Sequence, residues 1–235
     1  LLGAASPGIV IAMAFSGFAD PACKFWKQLA RNQSRDWFKA SEDRYEREWA
    51  APFLELLTDV AVGIDSAYPY CELEPPKIFR IHRDVRFSKD KSPYKTHIGG
   101  VLSVEGSGGV MDKPVALYLQ VGTECFAAAG HYMIPPEKLA RVRRAIVDPT
   151  RGKELASITR SLARRGFTLD GAEKLARVPR GFDPEHPLAE LLRMKGLVAM
   201  FPPLPDLGDA SLVRWLRKQC VAASELVTWT TYAGA

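Results

Sequence analysis

The chain has 235 residues, is 47% hydrophobic and 25% charged, and carries a formal net charge of +5, so it has the apolar content for a real core and the length for one α+β domain. Its four cysteines, Cys23, Cys71, Cys125 and Cys220, lie far apart with no CxxC pair, which excludes a zinc knuckle and a thioredoxin-type motif and fits free thiols in a reducing cytoplasm. The opening run LLGAASPGIVIAMA is apolar, but it is too short and too broken by Pro7 and Gly8 to span a bilayer, and no basic segment precedes it.

The expectation is an N-terminal extension over residues 1–14 and a single domain over 15–235, cytoplasmic and without a membrane segment. Asp20 followed by Pro21 predicts a helix start, the carboxylate capping free amides and the proline taking the first helical position. That helix runs to about Arg31, with Phe25, Trp26 and Leu29 inward. A second, long helix is expected from about Asp36, burying Trp37, Phe38, Tyr45, Trp49, Phe53, Leu56, Leu57 and Val60, with Pro52 either kinking it or opening its second half.

Strands are expected over Ile78–His82, Lys95–Val104, Val115–Val121 and Glu124–Ala129. The ordered loop Arg83–Tyr94 joins the first two, and a turn at Gly106–Gly109 follows the second. Gly122 and Thr123 form a two-residue connection of the hairpin kind, so the sheet is expected to be mostly antiparallel. Helices follow over about 137–147, 152–165, 188–193 and 209–221. The fold class predicted is α+β, a mostly antiparallel central sheet packed by N-terminal and C-terminal helices.

Charge is unevenly placed. Residues 77–100 hold seven cations, Lys77, Arg80, Arg83, Arg86, Lys89, Lys91 and Lys95, against two acids, Asp84 and Asp90, with Phe79, Phe87 and Tyr94 interleaved. Residues 138–165 hold nine basic side chains and two acids, whereas residues 1–76 carry seven basic and eleven acidic groups. A two-signed surface of this kind favours a local anion site or an internal electrostatic match over uniform nucleic-acid coating.

Three segments, RNQSRDWFKASEDRY, RIHRDVRFSKDKSPYKTHIGG and VPRGFDPEHPLAELLRMKGL, resemble a family of bacterial hypothetical proteins catalogued as a domain of unknown function. The signature is R-D-x-R-F-x-x-D-K-x-P-Y-K over Arg83–Lys95, and the likeness runs from about Phe15 to Leu216. The resemblance implies one α+β domain and supplies no activity, cofactor or catalytic set. One departure is AAAGHYMIPPEKL, which keeps only Gly130 where the family tends to have a glycine-rich step, and this weakens any argument for a backbone ligand cradle there.

The chemistry in the signature points to an anion. Arg80, Arg83 and Arg86 are spaced by three, matching a carboxylate or phosphate by bidentate hydrogen bonds if an irregular loop brings them together, with Lys91 and Lys95 adding point charges. The first functional expectation is therefore a phosphorylated or carboxylated small molecule held between the Arg83–Lys95 loop and the hairpin bearing His131 and Tyr132. Its ligand set is Arg80, Arg83, Asp84, Arg86, Lys91, Tyr94, Lys95 and Tyr132, and His97 or His131 would move a proton.

No HxH or HExxH spacing supports a metal, and no GxSxG, Walker or GxGxxG motif is present. The alternative is a nucleic-acid or protein interaction module using the loop and residues 138–165 as one basic surface. A third reading is structural, with the cations neutralised by Glu42, Asp43, Glu46 and Glu48. Cofactor, oligomeric state and enzymatic character are left open by the sequence.

Overall fold

The computed structural model describes residues 14–69, 71–104, 109, 112–171 and 173–233. The expected extension falls almost wholly outside these residues, as does most of the Gly106–Gly109 turn.

Helix α1 (Lys24–Arg31) begins three residues beyond Pro21, which lies in a turn closed by the Cys23 amide on the Asp20 carbonyl at 2.9 Å. Proline is therefore not the first helical residue. The capping role of Asp20 survives in another form, since its carboxylate accepts the Phe25 amide at 2.8 Å. Helix α2 (Arg35–Tyr45) is capped by the Ser34 hydroxyl, which accepts the Trp37 amide at 3.2 Å.

A π turn over Glu46–Ala50 links α2 to α3 (Ala51–Ile64). Proline at position 52 has no amide to give, and its ring crowds the carbonyl four residues back, so the wider turn just before it absorbs the break while the helical run continues.

The sheet has six strands in the order β1-β2-β3-β4-β6-β5, every pairing antiparallel. They are β1 (Lys77–Ile78), β2 (His97–Ser103), β3 (Val115–Gly122), β4 (Phe126–His131), β5 (Thr168–Asp170) and β6 (Leu197–Met200). The remaining helices are α4 (Pro136–Val147), α5 (Arg151–Arg164), α6 (Ala189–Arg193) and α7 (Ser211–Tyr232).

Several expectations are corrected. The first strand stops at Ile78; the Phe79 amide still donates to the Gly99 carbonyl at 2.8 Å, and the chain then leaves the edge for the signature loop, whose base holds the isolated His82–Tyr94 bridge. The β3–β4 connection is three residues long, Thr123 to Cys125, and β4 extends to His131. The last helix starts two residues later and runs eleven residues further than expected, since Leu226, Val227, Trp229 and Thr230 continue its buried stripe. Strands β5 and β6 were not anticipated; Leu197–Met200 is buried on most sides and shows no alternation to mark a strand.

Two adjacent glycines distinguish the faces of the sheet. A Cβ on Gly100 would meet Leu57 and Phe53 of α3 at 2.8 Å, whereas one on Gly99 would meet the Tyr118 hydroxyl at 3.4 Å and Phe79 at 3.6 Å. The Gly100 side, with Leu102, Leu117, Leu119, Ala127 and Ala129, packs under α3 and α7 as the core. The Gly99 side carries Val101, Tyr118, Phe126, Ala128, Val198 and Met200, and these line a cavity to which no helix contributes. Antiparallel sheets commonly cover one face and leave the other accessible.

Candidate functional site

The signature loop is built on a narrow base. The Arg83 amide donates to the Pro93 carbonyl at 2.9 Å and the Lys95 amide to Ile81 at 2.8 Å. Tyr94, 4% exposed, donates its amide to the Gln33 side-chain oxygen at 3.0 Å and stacks on Phe38 of α2 at 4.6 Å between centroids. The loop is thereby fixed to the N-terminal helices through its last aromatic residue.

Inside the loop both acids are engaged by arginines. Asp84 accepts the Arg86 guanidinium through both oxygens at 3.0 and 2.7 Å, and these bonds hold its carboxyl below the usual range. Asp90 pairs with Arg83 and caps the Ser92 amide at 2.9 Å; the bonds from Ser92 and then Arg83 hold its carboxyl far below the usual range. Lys91 donates to the Val85 carbonyl at 2.9 Å.

The three arginines do not converge: Arg83 and Arg86 serve different carboxylates, and Arg80 is exposed. Phe87 at the tip is 97% exposed. Of the helical acids named as counterions, Glu48 pairs with Arg44 and Arg47 on its own helical run, and none of the four makes an ion pair with a signature cation among the described residues.

Lys95 stands apart. It is partly buried, its ammonium lies 5.5 Å from the Phe79 ring centroid, and it makes no ion pair among the described residues. Burial, and then the charge of Arg80, push its pKa down. Two cavities share this side chain. The other residues lining one of them, of about 410 Å³, include the polar side chains of Arg83, Asp90, Ser92, Tyr94 and His97. The other, of about 390 Å³, is the accessible sheet face, where Phe79, Tyr118 and Phe126 form an aromatic row and Tyr132 and Lys113 stand with Lys95 at the rim. Lys113 is already paired with Glu74.

His97 follows Lys95 by two residues. Its pKa is lowered by burial and by Lys95, with Glu124 acting in the opposite sense. His131 is elsewhere. His97 pairs with Gly122 at one end of β3 and Gly130 pairs with Val115 at the other, so the two imidazoles are separated by nearly the whole strand, about 20 Å. They cannot act on one group.

His131 is fully buried, its Nε2 is 2.9 Å from the Asp112 carbonyl oxygen, and burial followed by the Lys138 charge lowers its pKa to about 4. Tyr132, 46% exposed, is the hairpin residue that reaches the cavity. It also contributes, after burial, to raising the pKa of Tyr118, whose hydroxyl donates to Gln120 at 3.0 Å.

The second basic block lies away from the loop. Helix α5 packs on α7, α4 and edge strand β5, while the loop extends from edge strand β1 at the opposite side of the sheet. Arg143 is spent on the Leu192 carbonyl at 3.0 Å, and Arg151 lies over Trp229. Among the described residues no cluster of three or more His, Cys, Asp or Glu is placed to hold a metal, and no helix is long and apolar enough to cross a membrane.

The aromatic row went unread in the sequence. The only available signal was Tyr118 and Gln120 alternating with Leu117, Leu119 and Val121 along β3, and it is weak because both faces of the strand are apolar.

The architecture is an α+β domain, an antiparallel sheet with helices over one face and an aromatic-lined hollow on the other. The chain belongs to the conserved hypothetical protein family DUF2461, whose model matches residues 21–229. No curated protein and no solved structure matches it.

Proposed function

We propose that this domain binds an amphipathic small-molecule anion, a flat apolar body carrying one carboxylate, phosphate or sulfonate. The apolar body lies along Tyr118, Phe126, Ala128 and Met200, and the acidic head is held by Lys95. The observation that carries this is the position of Lys95: one unpaired, partly desolvated ammonium shared by an apolar hollow and a polar one. A cation in such surroundings gains more from an anion than one already facing a carboxylate or bulk water.

Tyr132 closes the rim, and His97, neutral at pH 7, offers a hydrogen bond at the polar end. The remaining signature residues, Arg83, Asp84, Arg86, Lys91 and Tyr94, shape and rigidify the loop that presents Lys95. Ligand sites commonly combine an apolar wall with a few convergent polar groups in this way.

The test is titration with 1-anilinonaphthalene-8-sulfonate, an aromatic anion whose fluorescence reports an apolar site. Saturable one-to-one binding is expected, abolished by Ala128→Trp, which fills the hollow from the face away from the core. Equal binding by that variant, folded as judged by circular dichroism, overturns the assignment.

A further inference from the structure

We propose that the groove between α5 and α7 binds a zwitterionic small molecule, an amino acid or a short peptide, with its carboxylate on Arg151 and its ammonium between Glu154 and Glu225. The groove shares no lining residue with either hollow beside Lys95, and its test does not depend on that assignment.

The groove holds about 570 Å³, a volume in the range of small-molecule sites. Helix α5 supplies Arg151, Glu154 and Ser157 to its wall, and α7 supplies Glu225, Thr228 and Trp229. On each helix these positions recur every three or four residues, so each set lies along one face. The Trp229 indole Nε1 donates to the Arg151 carbonyl at 3.2 Å, which fixes the start of α5 against the end of α7. Glu154 follows Arg151 by three residues and Glu225 precedes Trp229 by four, so both carboxylates are rooted about one turn, roughly 5 Å, from that contact.

The charges in this groove are unspent. Arg151 is partly buried, and its guanidinium carbon lies over the Trp229 ring, 5.9 Å from the centroid. Trp229 is 4% exposed and held by its indole hydrogen bond, so it is a fixed wall that orients the planar cation. Among the described residues neither Arg151, Glu154 nor Glu225 makes an ion pair. One guanidinium and two carboxylates thus share a groove without answering one another.

That pattern selects the ligand class. A simple anion would gain Arg151 but face two acids, and a simple cation would gain the acids but face Arg151; like charges brought together cost binding. A molecule carrying both a carboxylate and an ammonium satisfies all three side chains, the carboxylate as a bidentate partner of the guanidinium. The hydroxyl of Ser224, also in the wall, donates to the Val221 carbonyl at 2.9 Å, which leaves its oxygen free to accept an N–H from the ligand. Ile158 and the 40% exposed Tyr232 give the apolar surface on which a ligand side chain rests.

The experiment uses the full chain with isotope-labelled tryptophan, titrated by NMR with leucine and with leucyl-leucine at millimolar concentration. The Trp229 indole signal, identified by its loss in Trp229→Phe, is expected to shift saturably; tighter binding by leucine marks an amino-acid site, and tighter binding by leucyl-leucine a peptide site. The amide of the better probe, which lacks the carboxylate, and its N-acetyl form, which lacks the ammonium, are each expected to bind about tenfold more weakly, the loss of one charge-assisted contact. Arg151→Gln is expected to bind probe and amide equally, and Glu154→Gln combined with Glu225→Gln to bind probe and N-acetyl form equally, whereas a purely structural role would weaken every probe alike. If neither leucine nor leucyl-leucine shifts the Trp229 signal of the folded chain, or if the blocked forms bind as tightly as the zwitterions, the assignment is overturned.

Discussion

Tyr94 lies face to face with Phe38, centroids 4.6 Å apart and planes 25° from parallel, and this contact joins the end of the signature loop to α2. Both rings are buried, 4% and 6% exposed. Removing either leaves a cavity between the helices and the loop, so Phe38→Ala and Tyr94→Ala should each cost about 3–5 kcal/mol in urea unfolding. The double variant should fall short of the sum by about 1 kcal/mol, the coupling of a stacked pair. Strict additivity would show that the stack does not tie the loop down.

The cations of the signature are expected to separate by role. Lys95→Met should weaken binding of 1-anilinonaphthalene-8-sulfonate about tenfold, the loss of one charge-assisted contact. Arg86→Ala should leave it unchanged, because that guanidinium is engaged with Asp84 at the exposed tip. Reversed effects in fluorescence titration would move the anion site to the loop tip.

His131 predicts a pH dependence. Its folded pKa of about 4 lies below the ordinary 6.5, so the folded chain binds this proton less tightly than the unfolded chain. Stability from this group is complete above about pH 6.5 and is lost as pH falls toward 4, by about 3 kcal/mol. The facing groups are Lys138, which acts with burial, and the Asp112 carbonyl and carboxylate, which oppose them. Urea midpoints for the wild-type chain should drop across that window, and His131→Gln should flatten the drop. His97, also lowered, acts in the same direction and will leave a residual slope; Asp84 and Asp90 act only further into acid.

Gly130 has φ +134° within β4, and a Cβ there would come within 2.2 Å of the Leu197 carbonyl oxygen. Gly130→Ala should therefore loosen the β4–β6 pairing and destabilise by about 1–3 kcal/mol. Amide exchange by NMR should show lost protection at Val198 and Ala199 before β2. The glycine kept in this chain serves strand pairing.

Legibility differed by element. The helical stripes of Phe25, Trp26 and Leu29, and of Trp49, Phe53, Leu56 and Val60, were readable because a repeat of 3.6 is local, and these side chains are buried as the pattern requires. Strand β6 was not readable: four residues, Leu197 to Met200, carry too little pattern, and pairing with β4 and β5 across long sequence gaps makes them a strand. The site divided in the same way. The cationic cluster stood out, but the carboxylates that answer Arg83 and Arg86, and the lack of an ion pair at Lys95 among the described residues, depend on how the loop closes.

The sequence by itself determined the α+β class, the helical core, the antiparallel hairpin and the existence of one concentrated basic loop, since each rests on local period, turn chemistry or charge. Only the tertiary structure decided that Lys95 lies partly buried between two hollows, that His97 and His131 stand at opposite ends of β3, and that Tyr94 stacks on Phe38. These are contacts between residues distant in the chain, and a contact of that kind is set by the packing of whole elements, which no short stretch of sequence encodes.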